Sequence, residues 1–168
     1  VGSLVIDGAT LRDGGGFTAD SVAFDAGKLT RGNDNVTWAT GAMREITVPS
    51  PQELAAETDL KPFAGLDMCG LVVSESNLAE PVTIESVSVR SEGEHGAPRA
   101  FAAEISGVHV KTSALDKRPR EKAVLDALGY DEFNTDITLT GAFDPPNQAM
   151  TIDALTIDTA DVGTLTVT

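Results

Sequence analysis

One nine-residue pattern occurs three times in the chain, and it limits the fold more than any other feature. "TADSVAFDA" begins at Thr18, "TIESVSVRS" at Thr83 and "TIDALTIDT" at Thr151, at steps of 65 and 68 residues. Each runs Thr, Ile or Ala, an acid, a small residue, Val or Leu, a small residue and a large apolar one. Each also breaks the period-two alternation of a strand at the same place. Ala19 is out of phase with Val22 and Phe24, Ile84 with Val87 and Val89, and Ile152 with Leu155 and Ile157. A change of parity midway implies either a bulge or a strand buried on different faces along its length. Three copies of one irregularity describe a repeat built from strands.

The segments between the copies support this. After the second copy, a polar turn (Ser91 to Gly96) leads to a strand-like run, Arg99 to Lys111. A helix follows, with Asp116 as cap, Pro119 early, an apolar stripe of Ala123, Val124, Ala127 and Leu128, and Gly129 closing it. Next comes an alternating strand, with Ile137, Leu139, Gly141 and Phe143 on one face and Asp136, Thr138, Thr140 and Ala142 on the other. "DPPN" at Asp144 to Asn147 turns the chain into the third copy. The first copy runs in parallel, with a turn at Gly27 to Asn35 and a second strand region over Val36 to Val48. "SPQE" at Ser50 to Glu53 is a capping box, followed by a short helix over Leu54 to Glu57 and a strand at Leu71 to Ser74. Gly65-Leu66-Asp67 matches Gly129-Tyr130-Asp131 at a step of 64.

The unit therefore reads strand, strand, helix, strand, with repeats at about 18–82, 83–150 and a truncated 151–168. The predicted fold is mainly β (α+β), a curved antiparallel sheet with one or two short helices packed on its concave or open side. Short polar turns favour a meander, because parallel neighbours need long crossovers. The ends "GSLVID" and "GTLTVT" read as equivalent hairpin strands of successive units. We expect one domain over 1–168, cut or processed from something larger, since Val1 is not an initiator Met.

Composition narrows the class. Aromatics are 5% of the chain, so the core is aliphatic, which suits strands. The formal net charge is −14, and such a surface repels nucleic-acid phosphates and anionic headgroups over roughly 8–10 Å. The one basic run, Lys117 to Lys122, is short, contains Glu121 and reads as a solvated first turn of a helix. No nucleic-acid partner is expected. No apolar run approaches the roughly 20 residues of a membrane span. Cys69, alone in the chain, reads as a small buried apolar residue.

Motifs for chemistry are sparse. There is no nucleophile elbow, phosphate loop, zincin or paired-cysteine signature. His95 falls in a turn and His109 on a strand, opposite in facing to Val108 and Val110, and neither has a zinc-ligand partner. Asp20, Glu85 and Asp153 recur at matched repeat positions and read as outward strand residues rather than a catalytic pair. "RGNDN" (Arg31 to Asn35) and "LRDGGG" (Leu11 to Gly16) offer oxygen ligands without calcium-loop spacing, so a metal site stays open. Gly14-Gly15-Gly16 precedes a strand at Phe17 and not a helix, so it is a turn and not an anion site. Asn35-Val36-Thr37 is a single sequon, and Trp38 is expected to pack on the sheet. No cofactor, catalytic residue or binding residue is assigned.

Leu128 to Thr168, "LGYDEFNTDITLTGAFDPPNQAMTIDALTIDTADVGTLTVT", resembles exported bacterial β-repeat proteins of the AsmA type and the related YdgA-like periplasmic proteins. A helix ends in Leu-Gly-Tyr, and strands follow that end in an Asp-x-Gly-x-Leu turn (Asp161, Gly163, Leu165). The resemblance implies a periplasmic or cell-envelope location and a curved sheet that holds lipid, with no site residues to carry over. Three functions follow as expectations. The first is a non-enzymatic envelope module holding a lipid or other apolar ligand. The second is a protein-binding scaffold paired through an open sheet edge, and the third a carboxylate- or calcium-dependent enzyme. A continuous apolar concave face would favour the first, and a flat polar sheet with one exposed edge the second.

Overall fold

The computed structural model describes residues 2–56, 63–93, 99–144, 147 and 149–168. The turn histidine His95 and the predicted helix end Glu57 lie outside them. The strands are β1 (Leu4–Asp7), β2 (Thr10–Leu11), β3 (Phe17–Arg31), β4 (Asp34–Val48), β5 (Gly65–Ser74), β6 (Val82–Glu92), β7 (Arg99–Lys111), β8 (Glu132–Asp144), β9 (Ala149–Thr159) and β10 (Gly163–Val167). They form one open antiparallel sheet in the order β1-β3-β4-β5-β6-β7-β8-β9-β10, with β2 pairing β3 beside β1. Helix α1 (Pro51–Ala55) joins β4 to β5. A 3-10 turn (Thr112–Leu115) and helix α2 (Pro119–Leu128) join β7 to β8.

The predicted unit is present twice in full, as β3-β4-α1-β5 and β6-β7-α2-β8, and β9-β10 repeats its first two strands. Because a unit holds three strands of a meander, the next unit starts in the opposite direction. The helices therefore sit at opposite ends of the strands. The chain ends are not equivalent. β10 follows a first strand, as β4 and β7 do, whereas β1 and β2 precede one, as β5 and β8 do.

The parity breaks are not changes of buried face: the third is a bulge, and at the first two the ladder omits one residue of each facing strand without a change of register. Opposite β9, the register steps from Thr140↔Ala154 to Gly141↔Ile152, leaving Asp153 over. Ile152, Leu155 and Ile157 thereby lie against Gly141, Leu139 and Ile137, all on one side. In β6, Glu85 is left out of both ladders, so Ile84 and Val87 share a face with Leu71 and Met68 on one neighbour and Val108 and Ile105 on the other. Asp20 is skipped between Ala19↔Ile46 and Ser21↔Arg44. The recurrent acids are thus exposed strand residues, but their role is to be the residue the ladder omits.

The acids are accommodated by their neighbours. Gly8 (φ 64) and Glu45 (φ 48) flank Asp20, and Gly70 (φ 63) and Gly107 (φ 61) flank Glu85. These left-handed residues let the adjacent strands turn out of phase together with the acid-bearing strand.

The capping box at α1 forms as read: Ser50 Oγ accepts from the Glu53 N–H, and the Glu53 carboxylate accepts from the Ser50 N–H at 2.7 Å. α2 departs from expectation. Its N-cap is Arg118, without a side-chain cap, rather than Asp116. Its stripe is exposed, Val124 at 59% and Leu128 at 64%, because the helix rests mainly on the 3-10 turn and not on the sheet. Gly129 is left-handed at its C-terminus, whereas Gly65 opens β5, so that pair of tripeptides is not equivalent.

Candidate functional site: an apolar sheet face without a second layer

The register sorts the side chains of the whole sheet into two sets. On one face lie Leu4 and Ile6 of β1, Val22 and Phe24 of β3, and Met43 and Trp38 of β4. Leu66, Met68, Leu71 and Val73 of β5 continue it, then Val89, Val87 and Ile84 of β6. Ile105 and Val108 of β7, Ile137 and Leu139 of β8, Leu155 and Ile157 of β9 and Leu165 and Val167 of β10 complete it. The other face carries Arg44, Asp67, Ser88, Glu104, Thr138, Thr156 and Thr166 at the alternating positions. Nine strands at about 4.8 Å spacing make the apolar face roughly 38 Å wide.

Among the described residues no second layer covers it, the buried apolar residues are few (Ala19, Val22, Ile46, Leu71 and Ala114), and no large side chain is fully buried. The accessible surface is 10577 Å², where a layered protein of 17.5 kDa would expose roughly 7,900 Å². Exposed apolar patches beyond a few hundred Å² mark interaction surfaces.

The two faces differ in exposure along β8. Along β8, Phe133, Thr135, Ile137 and Leu139 are half-buried and Gly141 is buried, while Glu132, Asn134, Asp136, Thr138 and Thr140 on the other face are exposed. The unpaired positions Gly70, Glu85 and Gly107 lie side by side across β5, β6 and β7. The Gly70 hydrogens face the Ala39 methyl, and those of Gly107 face Glu85. The Gly107 N–H donates to Asp136 Oδ1 at 2.7 Å.

Three cross-strand pairs set a ring over a glycine, namely Trp38 over Gly27, Phe24 over Gly41 and Phe101 over Gly141. Phe24 and Trp38 meet edge to face with centroids 6.2 Å apart. Trp38 therefore packs on the sheet as read, and its indole Nε1 is buried with no hydrogen-bond partner. At one end of the face Arg99, 6% exposed, lies over the Phe143 ring at 5.8 Å.

The remaining sequence candidates lie elsewhere. Cys69 is exposed, not buried, because it alternates with Met68 and so stands on the polar face. His109 also stands there, its Nδ1 2.9 Å from Asn134 Oδ1. Asn35 is half-buried in β4. In "RGNDN", Asp34 Oδ1 accepts from the Ser76 N–H at 2.7 Å. In "LRDGGG", Arg12 pairs with Glu53 at 2.7 Å. Lys117 donates to the Ser76 and Leu78 carbonyls. Asp67 is clamped between Arg44 (3.0 Å) and Arg90 (2.6 Å), beside a 380 Å³ polar hollow. Among the described residues, no group of three or more His, Cys, Asp or Glu is placed to hold a metal ion, and no helix is long and apolar enough to cross a membrane.

Sequence reasoning missed the left-handed partners of the recurrent acids, although Gly8, Gly70 and Gly107 were visible as glycines inside strand-like runs. Compared with known proteins, the chain matches no family model, no curated protein and no solved structure.

Proposed function

We propose that this protein is a non-enzymatic module that holds a lipid, or another long apolar ligand, against the apolar face of its sheet. The observation that carries the reading is that face itself: continuous along the sheet path from β1 to β10, apolar through its middle, and without a second layer among the described residues. Hydrocarbon needs no polar partner, and the middle of the face offers almost none. A lipid-holding role in a bacterial envelope is what the resemblance of Leu128 to Thr168 implies as well.

Trp38, the only tryptophan, reports on the face directly. Titration with a long-chain fatty acid or a short-chain phosphatidylcholine below its micelle concentration should shift its emission, saturably. Val87→Asp and Ile105→Asp, on the apolar face, should weaken that binding at least about tenfold, since a buried unpaired charge costs several kcal/mol. Ser88→Asp, one residue away on the polar face, should leave it unchanged. Equal losses from all three folded variants, or no saturable shift in the parent, would sink the proposal.

A further inference from the structure

The ladder places three charged side chains on the apolar face. Arg31 and Asp34 face each other where the turn joins β3 to β4. The third, Arg99, opens β7 at the opposite end of the strands, in the row Arg99↔Phe143↔Met150. The row beside it is Ser91↔Phe101↔Gly141↔Ile152. One arginine is thus set among large apolar side chains at the end of the face.

We propose that Arg99 receives an acidic head group, a carboxylate or a phosphate ester, so that the ligand is an anionic amphiphile. The inference rests on the lipid-holding reading of this face and names the class of lipid. Arg99 is 6% exposed, so water competes little for its donors, and hydrogen bonds between charged groups strengthen where water is scarce. Its guanidinium lies over the Phe143 ring, 5.8 Å from the centroid. A guanidinium carries five N–H donors in a planar fork and grips a carboxylate or phosphate with two of them. It can therefore hold a head group beside the contacts it already makes.

Charge and path agree with this position. With a net charge of −14 the chain repels anions in general, so an acidic ligand needs a local cation. Away from the β3–β4 turn, Arg99 is the cation that the ladder places on this face. Met150 and Ile152 beside it are 63% and 51% exposed, and Phe101, Leu139 and Ile105 lead a hydrocarbon tail on to the middle of the face.

Calorimetric titration of the full chain with decanoate and with neutral 1-decanol tests this. The parent should bind the acid at least about tenfold more tightly than the alcohol. Arg99→Gln should bring the acid down to the affinity of the alcohol and leave the alcohol unchanged, while Arg99→Lys should keep part of the preference. Circular dichroism checks that both variants keep their sheet. Decyl phosphate run beside them distinguishes a phosphate head from a carboxylate, and tighter binding of either than of 1-decanol supports the inference. In the parent itself, the Arg99 Nε–H resonance should shift with the acid and not with the alcohol, a reading that needs no variant to fold. Equal affinities for acid and alcohol, or an acid preference that survives in folded Arg99→Gln, overturn the inference and leave the lipid-holding reading in place. Binding of none of the three overturns both.

Discussion

Gly107 lies so close to Glu85 that a methyl group on it would meet the Glu85 Cβ at 2.7 Å. It also has φ 61, a conformation that costs an L-residue about 1–2 kcal/mol. Both penalties fall on the one position that lets β7 pass the omitted acid of β6. Gly107→Ala should therefore destabilise by more than that backbone term alone. Gly32 supplies the control, because it has φ 62 and nothing within 4 Å of its would-be Cβ. Gly32→Ala should cost only the backbone term. Urea midpoints for the two variants check the difference, and equal shifts would mean the Glu85 contact carries no weight.

The bulge at Asp153 makes a sharper prediction. Asp153 is the residue that the ladder with β8 leaves over, so deleting it closes β9 into a regular strand with Ile152 still opposite Gly141 and on the face of Leu155 and Ile157. Deleting Thr156, which is paired in the ladder, instead turns Leu155 onto the polar face, since a one-residue slip inverts the side chains beyond it. The unfolding midpoint should therefore fall far more on deleting Thr156 than on deleting Asp153. Equal losses would show that the left-over residue is as necessary to the sheet as a paired one.

The irregular parity of the three copies was legible because period two is strict. Whether a bulge or a two-sided strand caused it was not, since the register depends on the neighbouring strand. The first two copies settle the point through Gly8, Glu45, Gly70 and Gly107, which are distant in sequence from the acids they flank. The helices show the opposite limit. Ser50 and Glu53 cap α1 through local bonds, so their pattern sufficed. The stripe Val124 and Leu128 on α2 is amphipathic by local spacing alone, and spacing says nothing about whether a surface comes to meet it. Cys69 was misread for the same reason: its neighbours Met68 and Leu71 are apolar, but Gly70 changes the phase between them and puts Cys69 outward.

The α1 cap gives a pH prediction. Glu53 is held below its ordinary value near 4.5, first by the Ser50 N–H and then by the Ser50 hydroxyl and Arg12. A lowered carboxyl contributes stability that is full above the unfolded value and is lost as pH falls through the folded one. Ser50→Ala removes the cap, at about 1 kcal/mol, and lets the Glu53 value rise. The gap between parent and variant should be widest at neutral pH and narrow below about pH 4. Denaturation midpoints at pH 7 and pH 3.5 measure it, and a gap that widens in acid would contradict the assignment.

Gly27→Ala tests the floor of the apolar face with a built-in reporter. A methyl group there would lie 1.9 Å from Trp38 Cζ2, far inside contact distance, so the indole must leave its place over the backbone. Two effects follow from that movement. The ring loses its packing against Phe24, at about 1–3 kcal/mol for an overpacked site. Its Nε1, now buried without a partner, reaches water, which returns part of that cost. The net result should be a modest loss of stability together with a clear red shift of tryptophan emission. Trp38→Phe separates the two terms, because it keeps a ring over Gly27 while deleting the orphaned N–H, and it should cost less than the loss of the ring in Trp38→Ala. An unshifted emission spectrum in Gly27→Ala would place the indole elsewhere and remove Trp38 from the face.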